Sequence, residues 1–303
     1  MSPDSSAPAG QQQRRRLVAF DFDHTIADAN SDTFIIRELP EGRLPPEVKK
    51  SYVPGRWTEY MQRVMDHMHA EAGIGADRLA ACVAALPRVE GMDALLSELA
   101  ARRGDGVDAL ILSDSNSLFI QSALEAWGHA DTFHPPAARV FTNPAAAEPA
   151  SGRLLLEPHD PGHGCGSCPA NMCKRVTLAR YLRARAAEGV EYDRIAYAGD
   201  GGNDLCPSLL MGPADVVFAR RGFALEREIA ARGWEGAEGG AGAGAGGGGL
   251  GGAAGGRRLP PERGGGGAPP AGPVAARVVL WESGDEILQW LRANWWRDGG
   301  GAE

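Results

Sequence analysis

The chain has 303 residues, 43% of them hydrophobic, with 31 lysines and arginines against 39 aspartates and glutamates. That length and apolar fraction suffice for a full buried core, and a formal charge of -8 supplies no basic footprint for a nucleic-acid backbone. No run approaches the roughly 18 consecutive apolar residues of a membrane span, and five cysteines, three of them clustered, do not read as a secreted disulfide framework, so a cytoplasmic protein is expected.

Residues 1–16 carry an arginine triplet, Arg14 to Arg16, followed by only four apolar residues before Asp21, too few for a signal peptide. They are expected to form a disordered tail with a solvated charge run. LVAF (17–20) then reads as a buried strand that stops abruptly in the acidic stretch DFDHTIADANSD. Residues 28–108 are too long for a simple crossover. WTEYMQRVMDHMHAEAG (57–73) sets Tyr60, Met61, Val64, Met65 and Met68 on one side of a helix, so a helical cap over 28–108 is expected, placed in the chain where a lid would be.

ALILSDSNS (109–117) repeats the design of an apolar run that ends in polar groups, and RIAYAGDGGND (194–204) repeats it again. The segments SLFIQSALEAWG (117–128) and CKRVTLARYLRARAAEG (173–189) read as helices with glycine stops. Residues 235–273 are glycine-rich with few groups able to form a core, and a flexible insertion is expected there. ARVVLWESGDEILQWLRANWW (276–296) resumes the fold as strand, turn and amphipathic helix. Strands alternating with helices predict an α/β, doubly wound, mostly parallel sheet. Its core is expected over 17–27 and 109–234, completed by 274–303.

In such sheets ligands bind beyond the carboxyl ends of the strands, and all three polar clusters fall there. Close carboxylates repel unless a cation lies between them or one keeps its proton. Both remedies suit phosphoryl transfer: a hard divalent cation such as Mg²⁺ takes a few carboxylate oxygens and substrate phosphate oxygens, and an aspartate can serve as nucleophile. Thr25 and Ser113 offer hydroxyl donors for phosphate oxygens. The glycines of GDGGND let the backbone approach a metal and a phosphate.

DFDHT resembles the first motif of the haloacid dehalogenase superfamily, D-x-D-x-T at the end of the first strand. The resemblance implies Asp21 as nucleophile and Asp23 as the group that protonates the leaving alcohol and then activates water. Thr25 and Ser113 match the hydroxyl positions, and Lys174, in NMCK, fills the lysine position. Asp200, Asp21 and the backbone carbonyl of Asp23 would hold Mg²⁺, with Asn203 and Asp204 in support. WTEYMQRV, LSDSNS, FTNPAA, CPANMCK, GDGGNDLCP and ARRGF extend the likeness to the PHOSPHO family of pyridoxal phosphate and phosphoethanolamine/phosphocholine phosphatases over roughly residues 17–230. It departs at His24 and in the glycine-rich insertion.

The implied activity is hydrolysis of a small-molecule phosphomonoester, with pyridoxal 5'-phosphate favoured by the spellings LSDSNS, FTNPAA and DGGND. Phosphoethanolamine or phosphocholine is the alternative, for whose ammonium group Asp32 and Asp114 are candidate partners, and pyrophosphate is a further one. A non-catalytic nucleotide-binding module would need G-x-G-x-x-G after a strand or a G-K-[ST] loop, and neither occurs. Separately, HDPGHGCGSCPANMC (159–173) brings Cys165, Cys168 and Cys173 together with His159 and His163. Zinc with one histidine as fourth ligand is one reading, and a reduced packed cysteine cluster is the other. Cys82 and Cys206 read as core residues.

Overall fold

A computed structural model of the chain describes residues 13–133, 139–233, 259 and 267–296. Strand β1 (Gln13–Phe20) leads into a helical segment: α1 (Ser31–Phe34), α2 (Pro46–Lys50), α3 (Trp57–Ala72), α4 (Ala76–Val83) and α5 (Met92–Ala101). Strand β2 (Val107–Asn116) and α6 (Ser117–Ala126) follow, then β3 (Val140–Asn143) and a small hairpin of β4 (Ala145–Ala147) and β5 (Leu154–Leu156). The chain continues through α7 (Lys174–Ala187), β6 (Val190–Gly199), α8 (Leu205–Ser208), β7 (Val216–Arg220) and α9 (Ala224–Ala231) to β8 (Arg277–Trp281) and α10 (Gly284–Asn294).

Six strands form one sheet in the order β3-β2-β1-β6-β7-β8, and every neighbouring pair runs parallel. The period of two along each strand divides its side chains between two cores. Val18, Phe20, Ile111, Ala198 and Phe218 face one core, which also takes residues of α5, α6 and α10. Leu17, Ala19, Leu112, Tyr197 and Val217 face the other, filled by α7 and α9. This is the doubly wound α/β sheet that the sequence predicts.

Three boundaries differ from expectation. First, β1 begins at Gln13, so residues 13–16 are strand and only 1–12 of the expected tail lie outside the described residues. Arg14 is exposed, but Arg15 is not part of a solvated run: its guanidinium donates to the buried carboxylate of Asp108 at 2.8 and 2.9 Å. Arg139 at 2.7 Å and the Tyr192 hydroxyl at 2.7 Å complete that network. An isolated charge there would be costly, so the pairing across β1 and β2 is what permits arginine in a strand.

Burial alone would raise the Asp108 carboxyl, but the hydrogen bonds from Arg15 and Tyr192 and the charge of Arg139 hold it below the usual carboxylate range. A lowered native pKa stabilises the fold above the unfolded value of about 3.9 and loses that contribution as pH falls through the native one. The urea midpoint is therefore expected to drop between pH 6 and pH 3 in the wild type. A smaller drop is expected in Asp108→Asn, and an identical pH profile in the two proteins would refute the assignment.

Second, the helical segment does not have a core of its own. Tyr60, Met61, Val64, Met65 and Met68 are buried as the helical spacing of α3 predicts, yet they join the same cluster as Val18 and Phe20. Third, α5, expected to be cap, packs on β2 and α10 as a crossover helix of the sheet. Its entry touches the entry of α10 so closely that a Cβ on Gly284 would lie 2.6 Å from the Gly91 carbonyl carbon.

The expected glycine-rich insertion lies outside the described residues at 235–258 and 260–266. Its described end accepts hydrogen bonds from the core: Arg175 donates to the Gly267 carbonyl and Arg232 to those of Pro270 and Gly272. Beyond it β8 and α10 resume the fold as predicted, with Ser283 capping α10 through the amide of Glu286. No described helix is long and apolar enough to cross a membrane.

Candidate active site

Register brings three strand ends to one point. Phe20 pairs with Ile111 of β2 and with Ala198 of β6, and the Asp21 amide donates to the Ala198 carbonyl at 2.9 Å. Asp21, Ser113 and Asp200 therefore emerge side by side. Chain order reverses across the β1 and β6 pair, so the connections leave on opposite faces and a crevice opens between them. It holds a cavity of about 160 Å³ lined by Asp21, Asp23, Ser113, Asp114, Ser115 and Asp200 together with His24, Asn30, Gly201 and Asn203.

The turn after β1 is tight. The amides of Thr25, Ile26 and Ala27 all return to the Phe22 carbonyl, at 3.3, 2.9 and 3.0 Å. His24 takes a left-handed φ of 54°, uncommon for a residue with a Cβ. Arg220, at the end of β7, secures it by donating to the His24 carbonyl and the Asp28 carboxylate, both at 2.6 Å. That coil rotates Thr25 inward. Its side chain is fully buried, its hydroxyl has no hydrogen-bond partner among the described residues, and it does not wall the cavity. Ser113 stands on the cavity wall.

Lys174, the first residue of α7, is fully buried between two carboxylates, 2.8 Å from Asp21 and 2.7 Å from Asp204. Burial works against its charge, but Asp204 and Asp21 outweigh it and hold the ammonium above its ordinary pKa. Asp204 is saturated: one oxygen accepts from Lys174 and from the Tyr197 hydroxyl at 2.5 Å, the other from the amides of Asp200 and Gly201 at 3.0 and 2.9 Å. Its oxygens are thus fixed in place, and Gly199 is required beside it, since a Cβ there would lie 2.5 Å from the Asp204 carboxyl carbon.

The remaining acids are poised differently. Asp23 turns away from the cluster, accepting from the Ser31 amide at 2.9 Å, the Ser31 hydroxyl at 3.1 Å and Asn30 at 3.2 Å. Burial first, then the charge of Asp32, push it up to about 7 against those hydrogen bonds. Burial and the repulsion of Asp204 raise Asp200 to about 7, with Lys174 opposing. Burial raises Asp21 as well, against Lys174, with Asp204 and Asp200 adding to the rise.

Carboxylate oxygens of Asp21, Asp200 and Asp204 lie within 4.8 Å of one another. Three carboxylates against one ammonium leave an excess of two negative charges when all are ionised. No donor among the described residues reaches the Asp200 carboxylate, so the donor set fits a hard divalent cation held by Asp21 and Asp200.

Of the two specificity candidates, Asp114 walls the cavity and accepts from Asn171 at 2.9 Å and Asn203 at 2.5 Å. Asp32 does not: it is buried behind the wall and receives the Trp57 indole N–H at 2.6 Å, which ties the start of α3 to α1. Burial raises it to about 6.

Sequence reasoning missed Tyr197, Arg220 and the Ser31–Ser115 hydroxyl pair at 2.7 Å. The period of two in RIAYAGD was available to place Tyr197, and Arg220 lies in ARRGF, a stretch that carries the family likeness but assigns the arginine no partner. The cysteine segment also differs from expectation. His163 donates from Nε2 to the Pro169 carbonyl and accepts the Cys165 amide at Nδ1, and His159 donates to the Thr142 carbonyl, so neither joins the thiols. The fourth member is Cys206, read from the sequence as an ordinary core residue.

The family model described as Putative Phosphatase matches residues 16–237. A pyridoxal phosphate phosphatase, PHOSPHO2, of Mus musculus is 44% identical over 71% of this chain and 86% of its own length. A phosphoethanolamine/phosphocholine phosphatase of Homo sapiens is 42% identical over 73% of this chain and 80% of its own. The Homo sapiens PHOSPHO2 pyridoxal phosphate phosphatase is 40% identical over 70% and 85%.

Proposed function

This chain belongs to the PHOSPHO family of haloacid dehalogenase phosphatases and is a phosphatase, and on that premise we propose that it hydrolyses a small phosphomonoester, pyridoxal 5'-phosphate first, through a phosphorylated Asp21. The observation that carries the reading is the set of Asp21 and Asp200, at the ends of adjacent parallel strands, with Asp204 and the buried Lys174 of α7 beside them.

Asp21 attacks phosphorus, forming an acyl phosphate as the bond to the leaving oxygen breaks, and Asp23 gives that oxygen its proton. A carboxyl raised to about 7 retains its proton near neutrality, which suits this donor. Asp23, now ionised, takes a proton from water. The resulting nucleophile attacks phosphorus, releasing phosphate and restoring Asp21. Ser113 and the strand-end amides receive the equatorial oxygens, and Lys174 offsets charge that would otherwise accumulate beside Asp21. Asp21 and Asp200, with the Asp23 backbone carbonyl, would hold Mg²⁺, which would supply positive charge against the approach of a phosphate dianion to a carboxylate.

A second substrate reading, phosphoethanolamine or phosphocholine, is favoured by Asp114, an acid on a cavity wall that offers no aromatic ring apart from His24. Phosphate release from pyridoxal phosphate, phosphoethanolamine, phosphocholine and pyrophosphate, each with Mg²⁺ and with a chelator, tests both. Release is expected to require Mg²⁺ and to be fastest with pyridoxal phosphate. Preference for the amines selects the second reading, and no release from any of them refutes the proposal.

A further inference from the structure

We propose that Cys165, Cys168, Cys173 and Cys206 bind one structural zinc ion, distinct from the carboxylate site. All four sulfur atoms lie within 4.8 Å of one another. Cys168 is 3.5 Å from Cys173, Cys173 is 3.7 Å from Cys206, and Cys206 is 4.0 Å from Cys165. A tetrahedron with Zn–S bonds of about 2.3 Å has sulfur-to-sulfur edges of about 3.8 Å, and these separations bracket that value. They are far from the roughly 2.05 Å of a disulfide, and all four thiols are free.

The surroundings are those of a closed structural site. Cys165, Cys173 and Cys206 are buried, and Cys168 is half-buried. The four form a cluster separate from both cores of the sheet, with Val176 as its one other buried hydrophobic residue among the described residues. The segment 157–173, without helix or strand, connects β5 to α7, and apart from Met172, which joins the second core, its buried apolar contacts are those of this cluster. A zinc ion with four thiolates carries an excess of two negative charges, and Arg175 donates to the Cys206 sulfur at 3.4 Å. The Val176 amide, in the first turn of α7, hydrogen-bonds the Cys173 sulfur. Outer donors of this kind orient thiolates and spread their charge.

The position gives the ion its use. Cys173 immediately precedes Lys174, and Cys206 lies two residues after Asp204. Zinc binding therefore clamps the start of α7 to α8, the two elements whose neighbouring residues meet in the 2.7 Å pair of Lys174 and Asp204. The metal acts by holding these supports in register, and no substrate or reacting atom touches it.

The test uses the full chain purified under reducing conditions without added chelator. Elemental analysis is expected to find about one zinc per chain. Cys206→Ser and Cys165→Ser should lose it, while Cys82→Ser and Asp200→Asn retain it. Because a cysteine variant can fail for want of folding, the second measurement is made on the wild type. Zinc exchanged for Co²⁺ should give the intense visible bands and sulfur charge-transfer absorption of a tetrahedral tetrathiolate. Wild-type protein without zinc that yields no such bands on Co²⁺ titration overturns the proposal. So does a native Cys168–Cys173 disulfide, or full zinc retention in folded Cys206→Ser.

Discussion

Asp21→Asn is expected to lower kcat by at least about a thousandfold while the protein keeps its fold, because the amide cannot serve as the nucleophile. The substitution preserves shape at a site where both oxygens are in use: one accepts the Phe22 amide at 2.6 Å and the other faces Lys174 at 2.8 Å. It removes one of three crowded carboxylates, and Lys174 keeps its 2.7 Å contact to Asp204. Thermal stability is therefore expected to change by no more than about 1 kcal/mol. Turnover within tenfold of the wild type would rule out Asp21 as the group that is phosphorylated. Rapid-quench trapping of labelled protein in the wild type, and its absence in the variant, gives the complementary readout.

The second large effect belongs to Lys174. Lys174→Met keeps most of the side-chain volume but strips the ammonium from Asp21 and Asp204, both buried. Removing one partner of a buried ion pair costs about 3–5 kcal/mol because the other charge is left behind. The variant is therefore expected to lose both activity and several kcal/mol of stability, unlike Asp21→Asn, which should lose activity alone. Part of the loss should return at lower pH, where the stranded carboxylates bind protons that the unfolded chain at that pH does not. Urea unfolding at pH 8 and pH 5 measures both effects. A midpoint equal to that of the wild type at both pH values would show that Lys174 is not the electrostatic keystone described.

Periodicity and strand-end chemistry made most of this architecture legible. LVAF, ALIL and RIAYAG announce themselves as buried strands because a parallel strand covered on both faces has no reason to alternate polar residues. The sudden change to Asp21, Ser113 and Asp200 marks where each strand leaves the core. The helix of 57–72 was equally readable, since its methionines recur on one face. The extent of the cap was not: α5 resembles any amphipathic helix, and only its docking on β2 and α10 makes it part of the sheet layer. Arg15 was misread for a related reason, as an arginine whose partner lies 93 residues away looks solvated from its neighbours alone.

The sequence by itself determined the fold class and the strand ends that carry the chemistry, with Asp21, Ser113, Asp200 and Asp204 as candidates, because spacing along one strand or one turn is a local property; Asp23 and Lys174 entered as what the family resemblance implies. Only the tertiary structure decided which of those candidates meet. It turned Thr25 into the interior and set Asp32 behind the cavity wall under Trp57. It brought Tyr197 and Arg220 into support, and set Cys206, not a histidine, beside the three clustered cysteines. The physical reason is the same in each case: hydrogen bonds, ion pairs and sulfur contacts act over about 3–4 Å in space, and distance along the chain carries no information about them until the sheet has folded.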